Sequence, residues 1–132
     1  MVNYIAVLVA TVIAYIIGML WYSPLLFGKI FMRLKKIDPK KTKMKMGAGT
    51  IIGGIIVTFI INFFLCIFLS SVDRTTFIDG ALYGVLLWFG FIATTLFNYV
   101  LYEKQPIALY LINSLHYLVV LIISGGILAV WQ

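Results

Sequence analysis

The sequence predicts an all-α polytopic membrane protein, a single domain of four transmembrane helices in an up-and-down bundle. Of its 132 residues, 64% are hydrophobic and 11% are charged, whereas soluble domains are roughly half apolar and a quarter charged. The apolar residues also form four continuous runs, each long enough to cross about 30 Å of hydrocarbon as a helix. Because apolar residues in these runs do not alternate with polar ones, the runs exclude a β-barrel.

The first run, residues 3–27, ends in an unusual string, Leu20-Trp21-Tyr22-Ser23-Pro24-Leu25-Leu26-Phe27-Gly28-Lys29. Pro24 has no N–H for the carbonyl of Leu20, so the helix is predicted to kink or end here, with Ser23 or Trp21 as a substitute donor. Gly28 suits the position just after a helix C-terminus, and Lys29 suits its negative end. A freed carbonyl also makes this stretch a candidate wall of a ligand site. We call it the helix-exit motif: Trp21, Tyr22, Ser23, Pro24, Gly28 and Lys29.

The loop that follows, residues 28–46, holds eight of the ten basic residues of the chain. This clustering between apolar runs is typical of membrane topology and does not indicate nucleic-acid binding. Since positive loops stay in the cytoplasm, the first and third loops are predicted inside and both termini outside. Apolar residues at helical spacing predict a short surface helix, and the loop is predicted to bind anionic lipid headgroups through Arg33, Lys35, Lys36 and Lys40. Simple retention by the positive-inside rule is the alternative explanation of these charges.

The remaining spans are predicted at about 47–69, 78–101 and 107–131. Every span carries small residues three or four positions apart, which let helices approach closely. They are Ala6, Ala10, Ala14 and Gly18 in the first span, Gly49 and Gly53 in the second, Gly80 and Gly84 in the third, and Gly125 and Ala129 in the fourth. Four helices make a thin core, so we expect a surplus of these small-residue faces and hence a homo-oligomer.

Polar side chains inside spans indicate function because lipid does not solvate them. Counted from the turn between the third and fourth spans, at about 1.5 Å per residue, Asn98 and Asn113 differ in depth by about 4–5 Å. The predicted cluster between these spans is Thr94, Thr95, Asn98, Asn113 and His116. It fits either a solute or ion pathway, with a histidine whose unperturbed pKa is near physiological pH, or hydrogen bonds that hold a hairpin together.

Three strings, in this order and at this spacing, carry a family resemblance. They are the helix-exit string, Leu87-Trp88-Phe89-Gly90-Phe91-Ile92-Ala93-Thr94-Thr95, and Leu111-Ile112-Asn113-Ser114-Leu115-His116-Tyr117. Over essentially its whole length the chain resembles the small bacterial and archaeal membrane proteins grouped as domain-of-unknown-function family 1761. The resemblance implies a four-span protein of a prokaryotic plasma (inner) membrane and brings no activity. The lysine-rich first loop departs from the family pattern.

These observations favour a homo-oligomeric channel or transporter for a small solute or ion. The alternative is a non-transporting accessory or scaffold protein that acts through helix packing and the basic loop. An enzyme is not expected, because four acidic residues, one histidine and one cysteine are scattered over the spans and offer no nucleophile with a base. For the same reason no metal site and no cofactor are expected.

Overall fold

The structure, a computed structural model, describes residues 2–36, 47–73 and 75–132. The helices are α1 (Tyr4–Trp21), α2 (Gly28–Leu34), α3 (Ala48–Ser71), α4 (Phe77–Leu87), a π-helical segment (Trp88–Ala93), α5 (Thr94–Glu103) and α6 (Ile107–Val130). Four stretches are long and apolar enough to cross a membrane: Tyr4–Trp21, Ala48–Ser71, Phe77–Glu103 and Ile107–Val130. The prediction of an all-α membrane protein with four spans is confirmed.

The last helix, α6, is the centre of the bundle and contacts α1, α3 and α4. Its closest contact is with α4, where glycines bring the two backbones together. A Cβ atom on Gly80 would collide with the carbonyl of Gly125, and one on Gly84 would collide with the carbonyl of Leu121. The small residues of the third and fourth spans therefore pack against each other within one chain.

Helix α1 packs against α3 and α6 through its small residues. Ala6 and Ala10 are fully buried and Ala14 is nearly so. In the contact between α1 and α3, Asn62 of α3 is fully buried. Its Nδ2 donates to the Thr58 carbonyl of the same helix at 3.1 Å and to the Thr11 hydroxyl of α1 at 3.4 Å. Asn62 thus joins α3 to α1 through Thr11, while its Oδ1 has no hydrogen-bond partner among the described residues.

The two ends of the bundle are defined by the first and last spans. The side chain of Asn3 caps α1 by accepting from the N–H of Ala6 at 3.2 Å, and it donates to the carbonyl of Trp131 at 3.0 Å. The start of α1 and the end of α6 therefore lie together at one end, the terminal end. The end of α1, the short α2 and the start of α6 lie at the other, the α2 end.

A π-helical turn interrupts the third span at Trp88–Ala93, in a string that reads as ordinary helix in the sequence. Three hydroxyls donate to carbonyls of this turn: Thr94 to Gly90 at 2.9 Å, Thr95 to Phe91, and Tyr110 of α6 to Ala93 at 2.9 Å. In hydrocarbon a backbone carbonyl needs such a partner. The two threonines therefore serve the backbone of their own span.

Candidate functional site

The helix-exit motif forms a compact turn between α1 and α2. Helix α1 ends at Trp21, three residues before Pro24. The Ser23 hydroxyl donates to the Leu20 carbonyl at 2.7 Å, which is the substitute bond anticipated from the sequence. The N–H of Phe27 donates to the Trp21 carbonyl at 3.0 Å, so the chain folds back on the end of the helix. The Leu20 carbonyl that Pro24 was expected to leave free therefore has local donors and is not a free wall of a ligand site.

The prediction that Gly28 follows the C-terminus of the first helix as its cap is wrong. Tyr22 caps α1, and Gly28 is the first residue of α2, so Lys29 lies in the first turn of α2 and not at the end of α1. Glycine is required here by a close approach: a Cβ atom would collide with the Tyr22 carbonyl and with the backbone of Ser23. The spacing indicated a glycine-dependent turn, but it did not show which helix the glycine belongs to.

Trp21 and Tyr22 bind α6. The indole Nε1–H of Trp21 donates to the carbonyl of Ile112 at 2.9 Å, and the hydroxyl of Tyr22 donates to Oδ1 of Asn113 at 2.7 Å. These bonds join residues 91 positions apart in the chain. The helix-exit motif and the polar residues of the fourth span, which the sequence suggested as two separate features, form one site.

His116 lies one turn below Asn113 on α6, among aromatic rings. Its ring centroid is 5.3 Å from that of Tyr22 and 4.9 Å from that of Tyr117, and a Cβ atom on Gly18 would lie 3.2 Å from its Nε2. Both ring nitrogens are buried and have no hydrogen-bond partner in the part of the chain that the structure describes. A buried polar group left without a partner costs about 1–3 kcal/mol, so a water or ligand that reached this imidazole would gain a hydrogen bond.

Above Asn113, at the α2 end, lies a cavity of about 210 Å³. We call it the Asn113 cavity; it is lined by Lys35, Leu96, Tyr99, Gln105, Tyr110 and Asn113. The Tyr22 hydroxyl donates to Oδ1 of Asn113, and the amide nitrogen of Asn113 can donate to a ligand. The cavity, the Asn113–Tyr22 bond and the ring of His116 follow one another toward the middle of α6.

A second recess of about 220 Å³ lies on the outer side of the third span. We call it the Asn98 crevice; it is lined by Phe89, Ala93, Thr94, Phe97, Asn98, Leu101 and Tyr110. The structure thus divides the five residues of the predicted cluster: Asn113 and His116 face the helix-exit motif, whereas Thr94 and Asn98 line the Asn98 crevice and Thr95 is exposed. Their depths were estimated from residue counts, but the direction in which each side chain points was not.

Tyr110 is the residue that the sequence analysis missed. It lines both recesses, its hydroxyl donates to the carbonyl of Ala93, and its ring lies 5.2 Å from that of Phe97. Its sequence signal was its place three residues before Asn113, on the same face of the helix. Tyrosine near a span end is also typical of the membrane interface, and that common role gave no reason to single it out.

The basic residues predicted to bind lipid lie at the α2 end as far as the structure describes them. Arg33 belongs to the short helix α2, and Lys35 and Lys36 follow it. All three are exposed, and Lys35 alone among them lines the Asn113 cavity. Lys40 lies outside the described residues.

Among residues 2–36, 47–73 and 75–132, no three histidine, cysteine or acidic side chains come together as a metal site requires. The only cysteine of the chain, Cys66, is buried in the bundle.

A protein-family model described as protein of unknown function (DUF1761) matches residues 5–129. The chain belongs to the DUF1761 family. The match includes all four spans, the helix-exit motif and the residues that line both recesses, so the site described above lies wholly within the DUF1761 region. No curated protein and no solved structure matches the chain.

Proposed function

We propose that this DUF1761 protein is a homo-oligomeric channel or transporter for a small solute or ion, and that the Asn113 cavity is its entrance. One observation carries the proposal: two buried, unpartnered imidazole nitrogens belong to His116, three residues along α6 from Asn113, which lines the cavity. Polar groups without partners are expensive inside a membrane and mark substrate pathways and proton relays. The route runs from the cavity past the Asn113–Tyr22 bond to His116.

We further propose that the α2 end faces the cytoplasm, with both termini outside. The support is the charge of the first loop, which holds eight of ten basic residues against Asp38 alone, together with the preference of such loops for the cytoplasmic side. In this orientation the cavity opens to the cytoplasm of a prokaryotic cell.

Self-association would complete the pathway, because one chain offers little enclosed volume. Helix α3 supports this step: Gly49 and Gly53 have no atom within 4 Å of a Cβ built on them, among the described residues. A second copy can therefore approach α3 as closely as α4 approaches α6.

The pathway is tested by flux in liposomes that contain the purified protein. Proton entry under an imposed membrane potential is followed with a trapped pH-sensitive dye, and urea and glycerol entry by light scattering. His116→Ala and Asn113→Ala are expected to reduce the flux of any conducted species to the level of protein-free liposomes.

Ser71→Ala is the matched control, because the Ser71 hydroxyl donates to the Ile67 carbonyl of its own span and Ser71 lines neither recess. It is expected to conduct as the wild type does. If His116→Ala and Asn113→Ala conduct as well as Ser71→Ala, the site is a structural contact between helices and the transport proposal fails.

A second candidate is a non-transporting accessory or scaffold protein. The open glycine face of α3 favours it, because that face fits another membrane protein as well as a second copy. It predicts that a specific partner purifies with the protein in mild detergent and that Gly53→Leu, which blocks the face, removes that partner. Recovery of the homo-oligomer alone would count against it.

A further inference from the structure

One residue, Tyr110, lines both the Asn113 cavity and the Asn98 crevice. The Tyr110 hydroxyl donates to the carbonyl of Ala93, and its ring packs against Phe97. A single aromatic residue is therefore shared by a polar cavity at the α2 end and a recess on the lipid-facing side of the third span. The polar cavity and the apolar crevice together fit the polar and the apolar part of an amphiphilic ligand.

The chemistry of the Asn113 cavity suits an anion. Lys35 brings a positive charge, and Gln105 and Asn113 bring amide donors. None of the described lining residues is acidic. A phosphate group needs a cation and several hydrogen-bond donors at close range, and this set supplies them.

The Asn98 crevice suits a hydrocarbon chain. Its walls include Phe89, Phe97 and Leu101, all exposed on the outer surface of the span. Phe89 and Leu101 are 12 positions apart, which at about 1.5 Å per residue corresponds to about 18 Å along the helix. One leaflet of a bilayer contributes about half of a 30 Å hydrocarbon core. The crevice thus extends from the rim of the span about as deep as one leaflet.

We propose that an anionic phospholipid of the leaflet at the α2 end binds across Tyr110. Its phosphate lies in the Asn113 cavity against Lys35, Gln105 and Asn113, and one acyl chain lies in the Asn98 crevice. The inference goes beyond the proposed function: it uses the same cavity, but the phospholipid is a bound ligand and not the small solute or ion that is conducted. A free phosphate would use the cavity but would leave the crevice unexplained.

The test is lipid binding, measured separately from flux. Spin-labelled phosphatidylglycerol and phosphatidylcholine, each labelled on the acyl chain, are added to the full-length protein in phosphatidylcholine vesicles, and the immobilised fraction is read by electron paramagnetic resonance. The wild type is expected to prefer phosphatidylglycerol. Lys35→Gln is expected to lower that preference by more than the about fivefold that any one lysine contributes at a lipid surface.

Lys29→Gln is the control for the headgroup, because Lys29 is exposed on α2 and does not line the cavity. It should lose no more than the about fivefold that one surface lysine contributes. Equal losses in Lys29→Gln and Lys35→Gln would mean that the basic surface attracts lipid without a built site, and would overturn the inference.

Leu101→Trp fills the crevice and is expected to lower the immobilised fraction of phosphatidylglycerol, whereas Leu86→Trp, at an exposed position of the same span outside the crevice, is not. If inorganic phosphate displaces the lipid and Leu101→Trp has no effect, the site takes a soluble anion and the lipid assignment is wrong. Selective lipid binding without any flux would keep this inference and end the transport proposal.

Discussion

At the scale of single residues, Tyr22 is the link between the helix exit and α6. Its hydroxyl donates to Asn113, and its ring packs on His116 and, at 5.1 Å, on Phe31 of α2. One side chain thus joins three helices at the α2 end. The hydrogen bond fixes the orientation of the Asn113 amide, and with it the polar surface that the cavity presents.

Tyr22→Phe removes this hydrogen bond and keeps the ring. We expect the free energy of unfolding in detergent to fall by about 1 kcal/mol, the usual value of an interhelical hydrogen bond in a membrane. The measurement is the unfolding curve in mixed micelles of a mild detergent and sodium dodecyl sulfate.

Tyr102→Phe is its control, because Tyr102 is 82% exposed. Its unfolding free energy should match the wild type. Equal stability of Tyr22→Phe and Tyr102→Phe would contradict the role assigned to the Tyr22–Asn113 bond.

The sequence identified Asn113, His116 and the helix-exit motif as unusual, but not as neighbours. Their chemistry is visible in composition, because polar residues stand out in apolar spans. Their partners depend on how far each helix is rotated about its axis, and residue counting gives depth only. The π-helical segment of the third span changes that rotation. Thr94 and Thr95, which follow it, donate to backbone carbonyls of their own span and not to another helix.

At the scale of helices, the contact between α4 and α6 is the tightest in the described bundle. Gly80 and Gly84 face the backbone of α6 with no room for a side chain. The four-residue spacing of these glycines predicted a close helix contact from the sequence. It could not tell a contact within the chain from one between chains, because small residues serve both in the same way.

Gly84→Ala places a methyl group on the Leu121 carbonyl and forces the helices apart. We expect a loss of about 1–3 kcal/mol in the free energy of unfolding, the range for overpacked contacts. Thermal unfolding in detergent measures it.

Gly90→Ala, in the same span, meets nothing within 4 Å. Its stability should therefore stay within about 1 kcal/mol of the wild type, the difference in helix propensity between the two residues. If both alanine variants behave alike, the close approach of α4 and α6 is not what holds this hairpin together.

At the scale of the whole molecule, four long apolar runs and short connections predicted the bundle directly, since few architectures satisfy the backbone in lipid. The first run is the exception in detail. The apolar run continues to residue 27, but helix α1 ends at Trp21. Residues 22–27, which include Pro24, form the turn that folds back on α1 and leads into α2. Hydropathy does not distinguish a helix from such a turn.

The open glycine face of α3 makes self-association testable. Gly53→Cys, oxidised in native membranes, is expected to give a covalent dimer, because small residues at that face let two copies approach closely. Cys66 is 1% exposed and should contribute little background.

Leu86→Cys is the control for Gly53→Cys. Leu86 also belongs to an apolar span and is 66% exposed, but it lies on a helix face without a glycine pair. It should cross-link far less. Cross-linking of both variants to the same extent would reflect random collision and would contradict a specific homo-oligomer.

The central claim is that the Asn113 cavity gives water and solutes access to His116. The most direct measurement is the labelling rate of His116→Cys in lipid vesicles by a membrane-impermeant thiol reagent added from the α2 side. Ser114→Cys is the control, because Ser114 is 1% exposed and lies on the same helix. We predict that His116→Cys and Asn113→Cys react while Ser114→Cys stays at the background of the native Cys66. Reaction of Asn113→Cys alone, with His116→Cys as slow as Ser114→Cys, would show a dry contact below the cavity and would contradict the account.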